Sequence, residues 1–191
     1  MDDLITVVSG MPRAGTSLVM AMLGAGGMDL LTDGRRTRDE HNPLGYFEYE
    51  PVKRLASDSS WVPLSSGKAV KVIYRLLEYL PPGCDYRVLF VERDLREIFA
   101  SQRDMLRARG DAAALQDEAT MLAALADELA RVWSLMAGRS DIRVMEVPYA
   151  GLLRDALGWA GRIAEFLNVE LDTAAMAAAV DRALYRHRAN G

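Results

Sequence analysis

Leu4-Ile5-Thr6-Val7-Val8-Ser9-Gly10-Met11-Pro12-Arg13-Ala14-Gly15-Thr16-Ser17-Leu18 is the stretch on which the reading of this chain turns. The apolar, β-branched run Leu4 to Val8 predicts a short buried strand. Gly10 and Gly15 bracket a tight loop, and Leu18, Met20, Ala21, Met22 and Leu23 open a helix. Strand, glycine loop and helix together make a phosphate cradle, because the loop N–H groups and the positive helix N-terminus face one anion. The spacing Gly10-x-x-x-x-Gly15-x-Ser17 follows the P-loop signature with one departure: Thr16 stands where that signature has Lys. Arg13 is the only cation in the loop. Such a loop suits a phosphate-like group and is poorly equipped for transfer of an ATP γ-phosphoryl group.

A second constellation lies further along. Arg87-Val88-Leu89-Phe90-Val91 is the clearest second strand, and it runs through Glu92-Arg93-Asp94 into a helical pattern at Leu95, Ile98, Phe99, Gln102, Met105 and Leu106. From Arg93 to Ser101 the chain covers a strand end and about two helical turns. A guanidinium and a hydroxyl so placed converge on one phosphate, the Arg binding it bidentately.

The rest of the chain supplies a frame for these two sites. Gly24, Gly26 and Gly27 end the first helix. Residues Thr32 to Gly45 read as a mobile loop running into His41-Asn42-Pro43-Leu44-Gly45-Tyr46-Phe47-Glu48. A short helix is expected over Glu50–Leu55, a loop anchored by Trp61 over Ser57–Gly67, and a strand over Lys68–Tyr74. Pro81-Pro82-Gly83 breaks the chain. Leu122, Leu125, Leu129, Val132 and Met136 stripe a long helix over Leu115–Met136 as a packing face. Ile142–Val147 reads as a strand, Leu153–Leu167 and Thr173–Leu184 as helices. Strands alternating with helices predict an α/β fold: a three-layer, P-loop-type parallel sheet with helices on both faces. Its ligands bind beyond the carboxyl ends of the strands, where Gly10 and Arg93 lie.

Half of the 191 residues are hydrophobic, which suits one globular domain spanning residues 1–191. The net charge of −4 argues against nucleic acid as a general partner, and Arg35, Arg36 and Arg38 read as a solvated loop. The single cysteine, Cys84, leaves no disulfide framework and no Cys-based metal site. No apolar run reaches membrane-spanning length, and Asp2 and Asp3 oppose a signal peptide. A cytoplasmic protein without a membrane partner is expected.

With these motifs in place, the chain resembles the sulfotransferases that use 3′-phosphoadenosine 5′-phosphosulfate. Their motif Pro-[Lys/Arg]-x-Gly-Thr-[Ser/Thr] is matched by Pro12 to Ser17. Their motif Arg-[Asp/Asn]-Pro-x-[Asp/Glu]-x-x-x-Ser is matched by Arg93 to Ser101, with Leu95 replacing the Pro. A weaker likeness covers Pro148-Tyr149 with Leu152-Leu153 and the later Ile163-Ala164-Glu165-Phe166-Leu167.

The resemblance implies roles. Arg13, Ala14, Gly15, Thr16 and Ser17 would hold the 5′-phosphosulfate, with Arg13 also acting in catalysis. Arg93 and Ser101 would hold the 3′-phosphate. The family's strand lysine near the bridging oxygen matches Lys71, with Lys68 as rival. The histidine that many members carry two residues later is replaced by Ile73. A base would then come from Glu48, whose turn-forming and aromatic neighbours suit a desolvated carboxylate, or from His41, or from neither. The family's glycine-rich basic loop over the 3′-phosphate is missing, with Arg186 and Arg188 the nearest substitutes.

The implied reaction moves a sulfuryl group to a hydroxyl or amine of a small-molecule or peptide acceptor and needs no metal. Two other functions stay open. One is a small-molecule kinase using ATP and magnesium, with Ser17 on the metal and Glu92 as the strand-end acid. The other is a nucleotide-binding module without catalysis.

Overall fold

The computed structural model describes residues 4–35, 42, 44–108 and 118–181. Five parallel strands form the sheet in the order β2-β3-β1-β4-β5. They are β1 (Leu4–Gly10), β2 (Leu30–Leu31), β3 (Ala69–Lys71), β4 (Asp85–Glu92) and β5 (Ile142–Pro148). The helices are α1 (Thr16–Ala25), α2 (Leu95–Ala108), α3 (Glu118–Ala137), α4 (Tyr149–Arg154), α5 (Ala156–Leu167) and α6 (Thr173–Ala178). The expected α/β class with a parallel sheet between helices is therefore the observed one.

β1 is central because it is buried along nearly its whole length, as an apolar run in a parallel sheet must be. It pairs Val7 with Val70 of β3 on one side and Val7 with Val88 of β4 on the other. α1, α5 and α6 cover one face; α2, α3 and the 3-10 turn Tyr74–Tyr79 cover the other. The chain leaves β1 toward β3 and later returns on its opposite side as β4. The strand order thus reverses at the carboxyl end of β1, and there the two flanking connections part to leave a crevice.

Several expectations need correction. β2 is a strand the sequence reading does not include: Leu30 and Leu31, just ahead of the expected loop, pair with Ala69 and Val70. β3 is only Ala69–Lys71, since a 3-10 turn takes over at Tyr74. The helix expected over Leu153–Leu167 is two: α4 stops at Arg154, and Asp155 caps α5 by accepting from the Gly158 N–H at 3.0 Å. α6 ends at Ala178, short of Leu184, which lies outside the described residues. The short helix expected over Glu50–Leu55 is a 3-10 turn, Glu50–Arg54.

Candidate functional site

The loop after β1 is closed by the Ala14 N–H donating to the Met11 carbonyl at 3.0 Å, with Ala14 wholly buried. Gly15 then takes φ +110 and precedes α1, whose Leu18 N–H donates back to the Gly15 carbonyl at 2.9 Å. A side chain at Gly15 would overlap the Tyr149 ring, and one at Gly10 would come within 2.7 Å of the Val91 carbonyl oxygen. Both glycines therefore let backbone approach backbone or ring. Thr16 and Ser17 open α1, so first-turn N–H groups that no helical carbonyl reaches face the crevice.

Arg13 sits at φ +74, a left-handed conformation that costs a side-chain-bearing residue energy. That backbone sends its guanidinium across the crevice, where Nε donates to Ser101 Oγ at 3.0 Å. Arg93, at the end of β4, donates from Nε to Glu97 at 2.8 Å and from Nη1 to the Arg13 carbonyl at 3.1 Å. Its guanidinium also lies 4.8 Å from the Tyr149 ring centre. Arg93, Arg13 and Ser101 thus meet in one cluster, with Arg13 bridging the two residues expected to converge. The Glu97 carboxylate offsets one of the two positive charges, and the cluster as a whole suits an anion beside a buried hydroxyl.

Glu97 and Tyr149 are site residues that sequence reasoning did not assign. Glu97 is visible in retrospect as the carboxylate one helical turn after Arg93. Tyr149 falls in the weaker likeness at Pro148-Tyr149, but its place against Gly15 and Arg93 is seen only in space. Burial, partly offset by Arg93, pushes the Tyr149 hydroxyl up, so it stays protonated. Beside Arg93, a cavity of about 450 Å³ is lined by Met11, Phe90, Leu95, Ile98, Leu129 and Tyr149.

Across α1, Lys71 at the end of β3 donates from Nζ to Ser17 Oγ at 3.0 Å and to the Tyr46 carbonyl at 2.7 Å. Asn42 Nδ2 also donates to Ser17 Oγ, at 2.8 Å. Phe47 adopts φ +50, strained for an aromatic residue. On one side the strain turns the Tyr46 carbonyl to Lys71. On the other the Glu48 carbonyl accepts from the Asp33 N–H and the Thr32 hydroxyl. The Glu48 carboxylate lies 3.8 Å from Lys53 Nζ and is partly exposed. Lys68 is at the opposite end of β3, where its carbonyl accepts from the Thr6 N–H. His41, Arg186 and Arg188 lie outside the described residues.

Glu92 bonds the Glu146 carboxyl, and burial followed by that neighbour pushes its pKa up. Among the described residues no group of three metal-ligating side chains occurs, and no helix is long and apolar enough to cross a membrane.

This arrangement defines a parallel α/β fold with an arginine cluster at its switch point. No family model and no curated protein matches the sequence. Among solved structures, the chain is similar to the sulfotransferase domain from the Synechococcus PCC 7002 olefin synthase. Identity is 16%, the TM-score is 0.51, and the match covers 97% of this chain and 80% of that one. At that identity the likeness is one of fold.

Proposed function

We propose that this chain is a sulfotransferase taking its sulfuryl group from 3′-phosphoadenosine 5′-phosphosulfate and passing it to a hydroxyl or amine. The carrying observation is the cluster of Arg13, Arg93 and Ser101 beside a phosphate loop that lacks the P-loop lysine. An ordinary nucleotide has one phosphate chain, which the loop alone holds; a second cationic pocket calls for a second phosphate. The fold of the sulfotransferase-domain neighbour supports the same reading.

The residues fit the donor. Gly10 and Gly15 let the loop pack closely against the Val91 carbonyl and the Tyr149 ring, which fixes its course at the end of β1. The loop and α1 N–H groups would take the 5′ end, Arg93 and Ser101 the 3′-phosphate, and Arg13 spans both. Glu97 holds the Arg93 guanidinium in plane, so Glu97 is a positioning residue.

In sulfuryl transfer the acceptor atom bonds to sulfur as the bond from sulfur to the phosphate oxygen breaks, and charge grows on that oxygen. Lys71, held between Ser17 and Tyr46, supplies a positive charge on the loop side of that bond. The acceptor proton must leave, and Glu48 is the carboxylate best placed in sequence to take it. The kinase reading is weaker, because Thr16 stands where the P-loop lysine would be.

Calorimetry without magnesium tests the proposal. 3′-Phosphoadenosine 5′-phosphate should bind far more tightly than AMP or ADP. Equal affinity for AMP, or magnesium-dependent ATP hydrolysis, refutes it. Donor consumption with a broad panel of hydroxyl and amine acceptors then separates an enzyme from a binding module.

A further inference from the structure

Ser17 Oγ is nearly buried, at 8% residue exposure, and receives two hydrogen bonds, from Lys71 Nζ and Asn42 Nδ2. An ammonium only donates, and a hydroxyl has two acceptor lone pairs and one proton. With both lone pairs filled, the Ser17 hydroxyl has only donation left to it. Ser17 is the second residue of α1, so that proton belongs to the same helix terminus as the first-turn N–H groups.

We infer that Asn42 is a positioning residue of the anion site: its amide, together with Lys71, holds the Ser17 hydroxyl as an obligate donor to a phosphate-group oxygen in the loop. The inference takes only the identity of the ligand from the proposed function. Lys71 alone leaves one Ser17 lone pair open, and the hydroxyl then rotates between donating and accepting. Asn42 closes that choice. A cation and an amide donating into one hydroxyl also polarise it, which strengthens its own donation. Asn42 begins the stretch that ends at Glu48, so the same contact ties the candidate base segment to the donor loop.

Charge and shape can be separated at this position. Asn42→Asp keeps the shape but replaces a donor with an acceptor, which captures the Ser17 proton and sets a negative charge beside the anion site. Asn42→Ala merely frees the hydroxyl to rotate. Asn42→Leu is nearly isosteric and has no donor.

The test is calorimetry with three probes: 3′-phosphoadenosine 5′-phosphate, ATP and inorganic pyrophosphate. For the probe the native chain binds best, Asn42→Ala and Asn42→Leu should each weaken binding about 5–10-fold, the value of one hydrogen bond. Asn42→Asp should weaken it about a hundredfold. In a Ser17→Ala background, Asn42→Ala should have no further effect, because the atom it positions is gone. Equal losses in both backgrounds, or native affinity in Asn42→Leu or Asn42→Asp, overturn the inference. If ATP is the best probe and the coupling persists, the sulfuryl donor is wrong and the role of Asn42 stands. Binding of none of the three overturns both.

Discussion

Arg93→Ala gives two consequences that can be told apart. Arg93 and Glu97 form an ion pair at 2.8 Å, and their side chains are only 9% and 6% exposed. Solvent screens such a pair little. Removing the guanidinium strands a buried carboxylate, which costs about 3–5 kcal/mol. For a chain of this size that corresponds to a melting point lower by roughly 6–20 °C. Arg93→Ala/Glu97→Ala removes the stranded charge and should recover most of that loss. It should not recover all of it, because the bond to the Arg13 carbonyl and the contact with the Tyr149 ring are also gone. Glu97→Ala alone completes the cycle. Thermal melts of the four proteins followed by circular dichroism give the coupling energy. Calorimetry gives the second consequence. The double variant, although stable, should no longer distinguish 3′-phosphoadenosine 5′-phosphate from AMP. A single Arg93→Ala variant that melts with the native protein refutes the buried pair. A double variant that keeps the preference refutes the 3′-phosphate assignment.

Gly15→Ala and Gly27→Ala both place Ala at positive φ, +110 and +94, at a cost of about 1–2 kcal/mol each. Only Gly15→Ala also meets the Tyr149 ring, so urea titration should show it as clearly the more destabilising; equal losses exclude the overlap. Burial, with help from Glu128, pushes the Tyr74 hydroxyl up to about 12, against about 10 in the unfolded chain. The folded chain therefore holds the extra proton across that window, and stability present below pH 10 falls as the pH rises toward 12. Tyr74→Phe should flatten that alkaline slope in denaturant titrations; an unchanged slope contradicts it. Glu48→Gln should leave binding of 3′-phosphoadenosine 5′-phosphate intact while turnover falls about 10²–10⁴-fold. Native turnover in Glu48→Gln with a dead His41→Ala would make His41 the base.

The donor-side architecture was legible because it is local. Leu4 to Ser17 carries its strand, its loop and its helix start within one stretch, and a parallel strand buried on both faces reads as an unbroken apolar run. Arg93 and Ser101 were legible for the same reason: strand end and helix set their separation. What lay beyond reach is what depends on distant parts of the chain meeting. The pairing of Arg13 with Ser101 spans 88 residues and needs the left-handed backbone at Arg13. Tyr149 packs on Gly15 and Arg93 only because β5 lies beside β4. Lys71 reaches Ser17 because β3 neighbours β1, and Asn42 meets the same hydroxyl from 25 residues away; no spacing in the sequence encodes either approach. Local chemistry thus pointed to an anion site at the end of β1. The order of the strands decided which side chains surround it, since side-chain convergence follows from sheet adjacency, which local propensity does not determine.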